Sequence, residues 1–168
     1  MNKSVDTVNL QTLSKMLQVF PTVENDAKEE FKSTIEDLIY IIKEKNKDDN
    51  FLYELTTLYE QVMKNLHSLK SDEEFLFFNF KRILNIQENI LTQILENNSQ
   101  IELNSTIKKL LERAKLIIEK DNRVLLTYLL EEPKRMKNIL KIMDINRLLN
   151  DINEKIEDYI EGKKVVNG

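Results

Sequence analysis

His67 is the only histidine in this sequence, cysteine is absent, and both glycines, Gly162 and Gly168, fall within the last seven residues. A zinc or iron centre built on imidazole and thiolate therefore cannot be assembled from one chain. A carboxylate di-metal site would need inward-facing glutamates with Glu-x-x-His pairs on two helices. Here Lys64 stands three residues before His67, and the apolar stripes carry no systematic inward glutamates. No serine sits in a glycine elbow where a histidine could act as its base. Phosphate-cradling loops need glycines between elements, and none is placed there. The expectation is a protein that is not an enzyme, with no cofactor and no metal.

One short stretch has a chemical precedent. His67-Ser68-Leu69-Lys70-Ser71 resembles the His-x-Leu-Lys-Gly core of the histidine phosphotransfer domains of bacterial signalling relays, which are all-helical bundles. The resemblance implies that His67 would accept and donate a phosphoryl group while Lys70, one turn later, neutralises phosphate charge. Leu66 and Leu69 fall in an apolar seam, so His67 faces outward and Lys70 shares its neighbouring surface. Phosphotransfer through His67 is the alternative to the reading adopted below, in which His67 is an ordinary exposed residue at a helix end.

Two further groups of residues could recognise a partner. Lys134, Arg135, Lys137 and Lys141 surround Pro133, and Lys108, Lys109, Arg113 and Lys115 precede them. If those faces converge they form a positive patch suited to an acidic partner or, as a second alternative, to weak nucleic-acid binding. Glu112, Glu131 and Glu132 stand beside the cluster and no aromatic residues are interleaved for base stacking. A solvated, salt-laced helix face is therefore the plainer reading, and nucleic acid is not the expected partner. Phe75, Phe77, Phe78 and Phe80 cannot all point to one side of a helix. Phe75 or Phe78 is thus expected to meet a flanking helix, the N-terminal segment or another chain.

The elements that must position these residues follow from apolar spacing. Val8, Leu10, Leu13, Met16, Leu17 and Phe20 mark a first helix over about 5–20, stopped by Pro21. Asn25 or Asp26 should cap a second, with Phe31, Ile35, Leu38, Ile39 and Ile42 inward. Leu52, Leu55, Tyr59, Val62, Leu66 and Leu69 alternate spacings of three and four, the seam of a helix packed on near-parallel neighbours. Ser71 to Glu74 reads as a capping box opening a helix to about Asn97. A helix to Lys120 should follow, then a new one from Asp121 or Asn122, interrupted at Pro133 as a kink or very short break. Asp144 is expected to cap the last helix and Gly162 to end it.

The sum is an all-α, antiparallel up-down bundle of five to seven helices, one kinked or broken at Pro133. Residues 1–21 form an N-terminal helix, docked or used as an exchangeable arm; 22–162 form the bundle; 163–168 form a frayed tail. Two prolines and two glycines in 168 residues are too few for the turns of a sheet-rich fold. The formal charge of −4 gives no general attraction to nucleic acid or anionic membrane. No apolar run resembles a signal peptide or spans a bilayer, which with the lack of cysteine points to a cytoplasmic protein with no membrane partner.

A bundle of this kind without catalytic groups is expected to bind another protein, as an adaptor, an export chaperone or a regulatory subunit, with a homodimer as a further expectation. It is similar in type to flagellar export chaperones, which are small acidic helical bundles. The expected groove lies between the Leu52–Leu69 seam and the first helix, with Leu13, Leu17 and Phe20 in contact with the partner.

Overall fold

The computed structural model describes residues 7–19, 28–45, 50–68, 79–96 and 100–167. All helices and no strand occur among them: α1 (Thr7–Val19), α2 (Lys28–Lys45), α3 (Asn50–His67), α4 (Phe80–Glu96), α5 (Gln100–Glu131) and α6 (Met136–Asn167), with a 3-10 turn over Pro133–Arg135 between the last two. The three-and-four spacing of apolar residues is what makes each segment stable only as a packed helix, since isolated helices of this length are marginal in water.

The direction of packing is visible in the polar pairs along the seams. Lys108 meets Glu161, Lys115 meets Glu157, and Asp121 meets Asn146, so α5 and α6 run antiparallel. Glu54 meets Lys155, Phe51 stacks on Tyr159, and the Ser68 carbonyl meets Lys141, so α3 and α6 also run antiparallel. In contact, α2 packs on α3, α3 on α6, α6 on α5, α5 on α4, and α4 on α1.

One core unites five helices. It contains Leu10, Leu13 and Leu17 from α1, Leu52, Leu55, Tyr59 and Val62 from α3, and long stripes of α4, α5 and α6. The second helix is held through a separate cluster of Met16, Ile39, Ile42 and Met63. A third cluster, Leu125, Ile139 and Ile142, is made by α5 and α6 alone.

Several boundaries differ from the expected ones. No break occurs at Lys120–Asp121: α5 runs for 32 residues straight through it. Asp121 is only 2% exposed, and its carboxylate accepts hydrogen bonds from Asn79 and Asn146 instead of capping a new helix. Asp144 likewise lies inside α6, paired with Arg147 on the surface. Gly162 does not end α6, which continues to Asn167, because the glycine keeps a negative φ and no left-handed cap forms. At Pro133, by contrast, the short break expected there is present. Proline has no N–H to continue the ladder; the Glu132 N–H still donates to the Tyr128 carbonyl, and the chain then turns back through the 3-10 segment.

Candidate functional site

The interior holds two polar networks. Tyr59 on α3 donates its hydroxyl to Gln87 Oε1 at 2.6 Å, and Gln87 on α4 donates through Nε2 to the Leu149 carbonyl and to Asn153 Oδ1, both at 3.0 Å, on α6. Burial pushes the Tyr59 phenol well above its ordinary value, which keeps it neutral and able to donate. The second network is the Asp121 carboxylate, which accepts from Asn79 Nδ2 at 3.2 Å and from Asn146 Nδ2 at 2.8 Å. Asn146 also donates to Asn122 Oδ1 at 2.9 Å. These groups are amides, one phenol and one carboxylate that accepts from two donors, and their arrangement ties helices together. Among the described residues no group of three or more His, Cys, Asp and Glu side chains could hold a metal.

Two surface regions are better candidates. Between α2 and α3 an open groove is lined by Glu36, Tyr40, Lys43, Tyr53, Glu60 and Lys64. Its charges largely answer one another: Glu60 lies 3.8 Å from both Lys43 and Lys64, and Lys43 sits 5.2 Å from the centre of the Tyr53 ring. The other region is the end of the α5–α6 hairpin. α3 ends beside Lys141 and α4 begins beside Asp121, so among the described residues the hairpin continues past both. There Leu130 is 83% exposed, Met136 51%, Leu140 48% and Leu126 45%.

The four residues form a stripe, because successive helical residues are rotated by about 100°. Leu126 and Leu130 lie to one side of Leu125, which faces α6; Met136, Leu140 and the half-buried Met143 lie to one side of Ile139, which faces α5. Both displacements have the same screw sense. Antiparallel helices are related by a twofold axis across their common plane, so the same sense on each arm reaches the same side of the hairpin. Asp121, which meets α4, is rotated the other way from Leu125.

No protein-family model matches the chain, and no solved structure matches it.

Of the residues expected to carry function, Leu13 and Leu17 are members of the main core, at 0% and 7% exposure. The groove expected between α1 and the α3 seam is filled by the two helices themselves: Leu13 and Leu17 pack in one cluster with Leu52, Leu55, Tyr59 and Val62. They present no open face to a partner here, because burying those leucines within the chain already removes their apolar surface from water. Phe20, Lys70, Phe75 and Phe78 lie outside the described residues, as does the expected capping box over 71–74. His67 is the last residue of α3. Lys134 and Lys137 are exposed at the hairpin end, while Arg135 is half-buried and pairs with Glu132 at 3.0 Å.

The basic residues around Pro133 do not converge with those at 108–115. A continuous helix separates Arg113 from Pro133 by roughly 30 Å, and Lys108 and Lys115 are engaged by Glu161 and Glu157. Leu126, Leu130, Met136 and Leu140 lie outside the residues that the sequence led one to expect at a partner surface. The signal was present: Leu126 and Leu130 are spaced by four, one step out of phase with Leu125 and Leu129.

Proposed function

We propose that this is a non-catalytic helical bundle that binds another protein, an adaptor, export-type chaperone or regulatory subunit, through the free end of its α5–α6 hairpin. The observation that carries this reading is the coincidence of exposed Leu126, Leu130, Met136 and Leu140 on one side of a protruding element. Isolated apolar residues on a surface are ordinary; a contiguous stripe is what partner surfaces present. Fully covering a leucine or methionine side chain gains about 1.5–3 kcal/mol, so the stripe can supply the centre of an interface.

Affinity capture from the native host, comparing the unaltered chain with Leu130→Asp and with Lys108→Glu at the far end of α5, tests the proposal. A specific protein lost with Leu130→Asp and retained with Lys108→Glu is the expected result. Capture that is the same for all three chains would end it.

A further inference from the structure

The charges around the stripe indicate what kind of protein segment fits it. Residues 122–143 carry five cations, Arg123, Lys134, Arg135, Lys137 and Lys141, against two carboxylates, Glu131 and Glu132, in a chain whose formal charge is −4. The hairpin end is thus locally positive on an acidic molecule. Arg135 is engaged by Glu132 and Lys141 by the Ser68 carbonyl. Arg123 and Lys137 are exposed and have no ion-pair partner among the described residues.

Their positions on the helices matter more than their number. Arg123 lies beyond Leu126 and Leu130 as α5 is followed round from Leu125, and Lys137 lies beyond Leu140 as α6 is followed round from Ile139, at about 100° per residue. Each unpaired cation therefore borders the outer edge of the apolar stripe, one on each arm; the exposed Asp144 on the same edge of α6 is paired with Arg147. Between the two cations runs a strip two helices wide, with anchors spaced by four on α5 and by four and three on α6. That spacing matches the i, i+4, i+7 ridge of a helix laid lengthwise.

We infer that the stripe receives an amphipathic helix of a partner protein whose flanks are acidic. This rests on the protein-binding reading above and names the chemistry of the partner. Leucine-like side chains of that helix fill the strip between Leu126, Leu130, Met136 and Leu140, and glutamates or aspartates on its flanks meet Arg123 and Lys137. An anionic membrane fits less well: Glu131 and Glu132 stand at the turn, where they would enter the headgroups first and repel them.

The test uses the full chain and two synthetic helical peptides with the same leucine ridge, one flanked by glutamates and one by lysines, read by fluorescence anisotropy. The acidic peptide should bind, and Leu126→Asp with Leu130→Asp should weaken it at least about tenfold. Arg123→Glu with Lys137→Glu should also weaken it several-fold and transfer preference to the lysine peptide. Circular dichroism of each variant should be unchanged, because every altered side chain is exposed. If the lysine peptide binds the unaltered chain as well as the acidic one, the inferred partner chemistry is wrong while the protein-binding reading stands. If neither peptide binds and host capture is also unaffected by Leu130→Asp, both fall. Co-sedimentation with phosphatidylserine vesicles, or a dimer abolished by Leu130→Asp, would assign the stripe to a membrane or to a second copy and overturn the inference. A chain with Asp72→Asn, Glu73→Gln and Glu74→Gln that binds the acidic peptide tenfold tighter would assign it to the chain's own segment, with the same consequence.

Discussion

The body of the bundle and the end of its long hairpin are built from the same two helices, yet they differ in what covers their apolar residues. In the body, α6 is flanked by α3 and α5 by α4, and Ile83, Leu91, Leu149 and Ile152 are removed from solvent. At the hairpin end Leu125, Ile139 and Ile142 are buried, with Tyr128, Leu129 and Met143 partly buried against them, while Leu126, Leu130, Met136 and Leu140 face solvent. Two helices can bury the residues between them but not those on their flanks. A third element is required for the flank, and among the described residues α3 and α4 supply it in the body, whereas none of them covers the stripe at the tip. The difference is the reason the proposed partner surface is assigned to the tip.

Substitutions measure that contrast directly. Leu149→Ala should cost about 2–5 kcal/mol in urea unfolding, as expected for a buried leucine in a core that cannot collapse round the void. A cost below 1 kcal/mol would show the body to be as loosely packed as the tip. Gln87→Ala should follow at about 1–3 kcal/mol, because it leaves the Tyr59 hydroxyl and Asn153 without their buried partner.

The Tyr59 phenol adds a pH dependence. Its folded value is raised, so below its ordinary value of 10.0 both folded and unfolded chains hold the proton and stability is unaffected. Above that pH the unfolded chain ionises while the folded chain does not, and stability falls as pH rises. Unfolding followed from pH 9 to about 11 should show this decline, and Tyr59→Phe should flatten it. An unchanged slope would mean that other groups dominate alkaline unfolding.

At the low end of the scale, Leu130→Ala should change stability by no more than about 0.5 kcal/mol, since its side chain is already in water. Lys155→Ala, breaking the exposed 2.9 Å pair with Glu54, should cost less than about 1 kcal/mol. Amide exchange sharpens the comparison further: residues 125–140 should lose protection before 145–156, because only one neighbouring helix holds them.

How much of this could be read from residue order depends on the region. The α3 seam was legible because Leu52, Leu55, Tyr59 and Val62 are buried on one face, as their spacing implies. The break at Pro133 was legible because proline forbids the continuing hydrogen bond. Asp121 and Asp144 misled for a common reason. An aspartate after a lysine-rich turn has the local signature of a cap, but its carboxylate can equally be claimed by a tertiary or surface partner, here Asn79 and Asn146 in one case and Arg147 in the other. Leu13 and Leu17 were placed on a partner-binding arm because a short terminal segment before a proline resembles one. Their burial depends on α3 and α4 lying alongside, which no local pattern contains.

What the order of residues settled alone is the helical character of the chain and, with one histidine and no cysteine, the exclusion of an imidazole–thiolate metal centre within it. Both depend on residue types and short-range spacing, and a 3.6-residue period acts within a few positions. Which apolar faces end up covered was left to the tertiary arrangement. Covering depends on the lengths at which α3 and α4 stop against α5 and α6, and so the same alternation of leucines became core at Leu149 and open surface at Leu130.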